Sequence, residues 1–166
     1  GGLDATKRGW GVAASGLVKT RGGADFLTWG VTYGDGVGRY LNYVEGAIYD
    51  PGKDEILRER AIGVYVGYQL KPSDFVRFNL AYGLVHEFEN DFTRSALAHE
   101  NDPDPAAAWG RWSVNRNVQQ AHAGFFVTPV KAVDMGLEGI WAKRRTLAGH
   151  EGEDYRMNFL TRYYIN

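Results

Sequence analysis

The sequence predicts an all-β protein, a transmembrane antiparallel β-barrel to which this chain contributes about seven strands. Three observations predict this fold. Apolar and polar residues alternate with a period of two in several segments, short and long connections alternate between these segments, and aromatic residues lie near the segment ends. Each segment has about the 9–11 residues that a tilted strand needs to cross a bilayer.

The composition narrows the possible classes of protein. The 166 residues are enough for one domain, which we treat as a single barrel segment, 1–166. A formal net charge of -1 predicts no attraction to nucleic acid, and the absence of cysteine excludes disulfides, thiol catalysis and cysteine–zinc sites. No run of about 18 apolar residues is present, so we expect no membrane-spanning helix. The 22 glycines and 10 tyrosines suit turn-rich, aromatic-rich strands.

The predicted strands form three hairpins and one final strand. Short turns with the sequences RGGAD, KPSD and TPVKA join the members of each hairpin, and the proline in KPSD suits a turn. Within each strand one face is apolar, whereas the other carries glycine, amides and charges. The predicted strands span residues 9–19, 26–33, 61–70, 76–84, 119–127, 133–144 and 155–166.

Alternation alone does not separate a membrane barrel from a soluble one. A soluble β-barrel or sandwich would turn the apolar face inward and could bind a small apolar ligand there, whereas a membrane barrel turns it toward lipid. The connections favour the membrane, because long polar loops at about 35–59, 89–116 and 144–154 alternate with the short turns. Aromatic residues mark both strand ends, as at the two interfaces of a bilayer. They are Trp10, Tyr33, Tyr82 and Trp141 toward the long loops, and Tyr68, Phe78, Phe125 and Tyr163 toward the short turns.

The strand count predicts a larger barrel. If the short turns face the periplasm, the first and last strands both run toward it, and residues 1–7 lie outside. Single-chain bacterial barrels have an even number of strands, and an open edge in lipid leaves unpaired backbone groups. We therefore expect a C-terminal fragment of a larger barrel, unless a further strand lies in EGAIYDP, residues 45–51.

The stretch YGDGVGRYLNY, residues 33–43, superficially resembles a nucleotide-binding turn. Gly34 and Gly36 fit the first two places of the dinucleotide fingerprint, but Arg39 occupies the third, and no sustained helical pattern follows. The glycines are more typical of a loop that leaves a strand and bends closely at the barrel mouth. Such a loop would carry Arg39 toward the passage.

Several of these segments together resemble the DcaP-like family of trimeric outer-membrane porins. The resemblance covers nearly the whole chain, and its segments are GWGVAASG, TYGDGVGRYL, GVYVGYQL, NLAYGLV, VQQAHAGFFVTPVKAVDMGLEGIWAKR and RMNFLTRYY. It implies a barrel of about sixteen strands, a homotrimer among the lipid and lipopolysaccharide of the bacterial outer membrane, and passive uptake of small anionic, dicarboxylate-like solutes. The chain departs from the family at its end, where Ile165 and Asn166 replace the usual terminal aromatic residue.

Charged side chains on the polar face are the candidate functional residues. Rings of arginine and lysine select anions in pores, and a guanidinium pairs with a carboxylate through two hydrogen bonds. Glu87 and Asp134 lie on the same face and oppose this charge. The alternative for each arginine is a cross-strand ion pair. We predict as pore-lining or anion-binding residues Lys19, Arg39, Arg77, Arg144, Arg156, Arg162, His122 and Glu138.

Two further groups of residues could suggest a catalytic site or a metal site, but neither has the pattern that such a site needs. We expect His122 and Glu138 to be near neighbours across the TPVKA hairpin, but catalysis would need a nucleophile beside them, and no serine is evidently placed there. We expect a hydrogen bond in the lumen instead. Glu100, Asp102 and Asp104 could bind a divalent cation, but their spacing does not match an EF-hand and indicates a solvated loop. We predict neither a metal nor a cofactor.

Overall fold

The protein folds into one antiparallel sheet with a small hairpin beside it. The structure is a computed structural model, and it describes residues 6–44, 46–50, 55–90, 93 and 115–165. Within these residues the strands are β1 (Trp10–Thr20), β2 (Asp25–Asp35), β3 (Ala47–Asp50), β4 (Glu55–Arg58), β5 (Arg60–Leu70), β6 (Val76–Phe88), β7 (Asn115–Val130), β8 (Val133–Thr146) and β9 (Glu151–Tyr163).

The main sheet has seven strands in the order β1-β2-β5-β6-β7-β8-β9. Each pairs antiparallel with the next, which is the up-and-down connectivity of a barrel wall. All seven predicted strands are present, most of them longer than predicted. The segment EGAIYDP does contain a strand, β3, but β3 pairs only with β4 in a separate hairpin, so the main sheet keeps seven strands.

The predicted outer loop at 144–154 is wrong in extent. β8 continues to Thr146 and β9 begins at Glu151, so only the four residues 147–150 connect them. The charges that suggested a loop form cross-strand ion pairs instead: Lys143 lies 2.9 Å from Glu151 and 3.5 Å from Glu153, and Arg145 lies 3.8 Å from Glu151. Opposite charges on neighbouring strands stabilise the pairing of a hydrophilic hairpin.

The other two predicted loops are described in part. The loop at 35–59 contains the β3–β4 hairpin and a short 3-10 turn, Gly38–Tyr40. In the loop at 89–116, β6 ends at Phe88 and β7 starts at Asn115. The acidic residues Glu100, Asp102 and Asp104 lie outside the described residues.

The register gives the sheet one apolar face and one polar face. On the apolar face, a single row of residues crosses all seven strands: Val18, Leu27, Tyr68, Leu80, Ala123, Gly139 and Met157. The neighbouring row on the polar face contains Leu17, Thr28, Gly67, Ala81, His122, Ile140 and Arg156. The predicted period of two is therefore continuous across the sheet.

Burial is inverted relative to a soluble protein. Large apolar side chains of the apolar face are exposed, for example Leu80 at 58% and Phe159 at 66%. The buried side chains of the described residues include the carboxylates Asp25, Glu59, Glu87 and Asp134. An exposed apolar surface of this extent indicates a lipid-facing or partner-facing wall, which argues against the soluble sandwich. Among the described residues, no α-helix has the length and apolar character to cross a bilayer.

Asp25 ties together the first two short turns. Its side chain is fully buried at the start of β2. It accepts hydrogen bonds from the backbone N–H of Lys71 at 2.7 Å and from the Tyr68 hydroxyl at 3.3 Å, and it pairs with Arg21 at 3.2 Å. The neighbouring turn carries a local ion pair, in which a hydrogen bond from Lys71 holds the pKa of Asp74 below its usual value. These contacts fix the ends of β1, β2 and β5 at one level.

Replacing Asp25 should loosen this end of the sheet. Asp25→Ala leaves the Lys71 N–H without its acceptor, and we expect a loss of about 1–3 kcal/mol in the free energy of unfolding. Asp25→Asn keeps an acceptor for that N–H but loses the ion pair, so its loss should be smaller. Urea titration of the folded protein in lipid vesicles measures both. An equal loss in the two variants would contradict the role assigned to the backbone hydrogen bond.

Candidate functional site

The candidate site is the polar face of the seven-stranded sheet. Glycines and other small residues are common on this face, so the long charged side chains project beyond their neighbours. Seven of the eight predicted site residues occupy the alternate strand positions that form the polar face. They are Lys19 on β1, Arg77 on β6, His122 on β7, Glu138 and Arg144 on β8, and Arg156 and Arg162 on β9.

Arg77 is held in an ion pair near the turn end of the sheet. Its two terminal nitrogens donate to the two carboxylate oxygens of Asp134 at 2.8 and 2.5 Å. Asp134 is only 2% exposed, and it also accepts a hydrogen bond from the Thr128 hydroxyl at 3.1 Å. Because both guanidinium nitrogens are engaged, Arg77 is a poorer candidate for binding a passing solute than its position in the sequence suggested.

Phe126 lies beneath this ion pair. Its ring lies across the polar face, 4.5 Å from the Arg77 guanidinium. A side chain at Gly124 or Gly136 would overlap the ring, so both positions must stay small. Arg77 on β6 thus reaches over Phe126 on β7 to Asp134 on β8. Sequence reasoning missed this arrangement, although a phenylalanine of polar parity beside two glycines was a signal for it.

His122 and Glu138 form a polar cluster at the centre of the face, as predicted. His122 Nδ1 lies 3.5 Å from Glu138 Oε1, and its Nε2 lies 3.5 Å from the Gln120 side chain. Asn158 donates to the other oxygen of Glu138 at 3.4 Å. The arrangement is a hydrogen-bonding network between β7, β8 and β9.

The two arginines of β9 remain open to solvent. Arg156 lies 3.4 Å from Asp154, but their side chains are 66% and 64% exposed, so this pair is weak. Arg162 hydrogen-bonds the hydroxyl of Tyr164 at 3.2 Å and is also exposed. Because β9 is the edge strand of the sheet and all its residues are exposed, the availability of these two guanidinium groups rests on the weakness of their partners and not on their exposure.

The remaining cations lie farther along the wall or on the loop. Lys19 is exposed and shares a register row with Gln69, Asn79 and Glu138. Arg144 is exposed toward the loop end of β8. Arg39 is exposed in the 3-10 turn between β2 and β3. The structure thus brings the strand residues to one surface and adds Arg39 above it.

The loop that carries Arg39 lies on the polar face. We call residues 36–44 the strap. Val37 of the strap is buried against Gly11 and Gly34, and Leu41 packs on Gly63. Sequence reasoning anticipated the bend at the glycines but not that the polar-face glycines would receive the strap. No group of three or more metal-ligating side chains occurs within the described residues.

A wall with an exposed apolar face, a charged polar face and short turns at one end is typical of a segment of an outer-membrane β-barrel. Of the known structures, the outer membrane channel DcaP of Acinetobacter baumannii matches 95% of this chain with a TM-score of 0.78 and 28% sequence identity. The chain spans 41% of that protein's length. No family model matches the chain. No curated protein matches it either.

This match confirms the predicted relation to DcaP-like channels, the all-β barrel fold and the location in the outer membrane. The similar structure is a channel, which fits the prediction that the chain is not an enzyme.

Proposed function

We propose that the barrel containing this chain allows passive diffusion of small, preferentially anionic solutes with carboxylate groups, in particular dicarboxylate-like ones. The observation that carries this proposal is the uneven pairing on the polar face. Asp134 is held by two hydrogen bonds from Arg77, whereas Arg156 makes a single contact with the exposed Asp154 at 3.4 Å and Arg162 hydrogen-bonds the neutral Tyr164 hydroxyl at 3.2 Å. The strands of this part of the wall place five cations on the polar face, Lys19, Arg77, Arg144, Arg156 and Arg162, against the four carboxylates Glu87, Asp134, Glu138 and Asp154, and this small positive excess supports the proposal.

The two β9 arginines suit successive contacts with a carboxylate. They are six residues apart on one strand, which corresponds to about 20 Å along it. A small solute would therefore meet them in turn rather than together, with Arg162 nearer the turn end and Arg156 nearer the centre. Each can donate two parallel hydrogen bonds to a carboxylate and still release it to water.

The same proposal includes the assembly and the environment. The exposed apolar face would contact outer-membrane lipid and, toward the loop end, lipopolysaccharide. A homotrimer would cover part of that face, as the resemblance to DcaP-like porins implies. Transport would need no cofactor, metal or catalytic step, since diffusion follows the concentration gradient.

Removing the two exposed arginines tests the proposal. In the complete barrel, Arg156→Gln with Arg162→Gln should shift the reversal potential in a salt gradient toward cations. A unit charge about 8 Å from an ion in water contributes about 0.5 kcal/mol, which favours an anion and disfavours a cation by the same amount. Because an ion meets the two arginines one at a time, losing both should lower the anion-to-cation permeability ratio about fivefold at low salt. The shift should shrink at about 1 M salt, where the screening length is only about 3 Å.

A matched control removes the same charge from the other face. Lys143 and Arg145 belong to the apolar parity of β8, where they pair with Glu151 and Glu153. Lys143→Gln with Arg145→Gln should leave the permeability ratio nearly unchanged. Equal shifts in the two double variants would refute a selectivity role for the β9 arginines, and a barrel without conductance would refute the channel itself.

A further inference from the structure

The strap is fastened to the polar face at three points along its length. The first is Val37, which is 4% exposed. Its Cγ1 atom lies 2.6 and 2.5 Å from where Cβ atoms of Gly11 and Gly34 would stand, so only glycine at these positions leaves it room. The backbone N–H of Gly36 adds a hydrogen bond to the Glu59 carbonyl at 2.8 Å. This end of the strap is therefore anchored on β1 and β2.

The second and third anchors lie on β5 and β7. Leu41 occupies the space that a side chain at Gly63 would take. The carbonyl of Tyr43 accepts a hydrogen bond from the Asn115 side chain at 2.5 Å, and its hydroxyl accepts one from Gln120 at 3.4 Å. Tyr43 has a φ of 72°, which is uncommon for a residue with a side chain and indicates that the surrounding contacts fix this conformation.

Because of these anchors, the strap runs along the polar face of the sheet and stays in contact with it. Between Val37 and Tyr43 the strap passes over β2, β5, β6 and β7, and a cavity of about 280 Å³ remains beneath it, bordered by Gly83, Tyr65 and Gln120. The side chains of Arg39, Tyr40 and Tyr43 are exposed, Tyr40 at 80%, although the Tyr43 hydroxyl is also held by Gln120. A solute that passes close to the polar face at this level would meet these three side chains.

We propose that the strap is a fixed constriction of the passage, held by glycine sockets in the wall, and that Tyr40 with Arg39 and Tyr43 sets its width. The proposal rests on the proposed channel function, but not on its preference for anions. In this proposal, Gly11, Gly34 and Gly63 on the polar face leave the space into which Val37 and Leu41 of the strap pack. These three glycines are therefore positioning residues for the strap.

Width is tested by conductance. Tyr40→Ala should raise single-channel conductance about 1.5-fold, because a large side chain is removed at the narrowest level. Tyr155→Ala is the matched control, since Tyr155 is 73% exposed on the apolar face and should leave conductance unchanged. Equal conductance in Tyr40→Ala and the unmodified protein would overturn the assignment of Tyr40.

Anchoring is tested at two neighbouring glycines. Gly63→Val takes the place of Leu41 and should push the middle of the strap into the passage, because both ends stay attached, so conductance should fall about 1.5-fold. Gly83→Val is the control, since its nearest neighbours stand at 3.8 and 3.9 Å and the cavity beneath the strap can receive the added methyl groups. The same conductance in both variants would refute the socket at Gly63.

Thiol labelling tests the strap independently of transport. The chain has no cysteine, so a single introduced thiol reports one position. In the folded barrel in vesicles, Tyr40→Cys should react readily with a water-soluble methanethiosulfonate, whereas Val37→Cys should react at least about tenfold more slowly, because opening is required first. Equal rates would overturn the fixed strap even if the anion preference held. Protection of Val37→Cys would support the strap even if the arginine variants showed no change in selectivity.

Discussion

Leu80→Arg should make folding into a bilayer less favourable by about 2–4 kcal/mol, the cost of an arginine at the membrane midplane on the lipid face of a barrel. Leu80 lies in the apolar row that crosses all seven strands, between Phe78 and Tyr82 of the same face. Its side chain is 58% exposed without a neighbouring layer in the described structure. Folding from urea into phosphatidylcholine vesicles, followed by tryptophan fluorescence and gel mobility, measures the loss.

The next residue provides the control. Ala81 belongs to the polar row with Gly67 and His122, so Ala81→Arg places the same side chain over a wet surface. We expect a change of less than about 1 kcal/mol for this variant. The contrast between adjacent positions follows only from the membrane orientation of the sheet. If Ala81→Arg were the more damaging of the two, the apolar face would have to be the inner one.

Asp134→Asn should destabilise the barrel by about 2–3 kcal/mol, since it removes the charge that compensates Arg77 across two strands. The amide nearly preserves the shape of the carboxylate, so the loss reports the charged hydrogen bonds rather than packing. Asp154→Asn is the control: Asp154 pairs with Arg156 at the surface, where such pairs contribute little. Unfolding in urea compares the two variants.

A double variant separates the ion pair from other effects. Arg77→Gln with Asp134→Asn removes both charges and should recover part of the stability lost in Asp134→Asn alone, because no uncompensated charge remains. Additive losses would mean that Arg77 and Asp134 do not act as a pair. Because Arg77 is engaged, Arg77→Gln alone should change ion selectivity less than the Arg156 and Arg162 variants.

The ion pairs also show why one boundary was mistaken. Arg145, Glu151 and Glu153 look like a loop in sequence because hydrophilic residues dominate there. Their pairing is decided between strands, where opposite charges face each other at 2.9 to 3.8 Å. A pattern read along one strand contains no information on which charge lies across from it.

The sequence by itself determined the seven strands of the main sheet, their order in hairpins and the face of each charge within the predicted strands. The period of two is a local property of an extended chain, so Arg156 and Ala81 fall on one face and Leu80 on the other whatever the rest of the fold does. Short turns with proline and glycine fixed the hairpins for the same local reason.

Only the tertiary structure decided which charges are neutralised and where the loop lies. Arg77 reaches Asp134, 57 residues away in sequence, over the ring of Phe126, and the strap settles on Gly11, Gly34 and Gly63 of three different strands. Both arrangements depend on the register between strands and on space left by glycines. The register between strands and the space beside each glycine are set by hydrogen bonds and packing between segments that are distant in sequence. The alternating pattern of a single strand does not depend on these contacts, so it cannot reveal them.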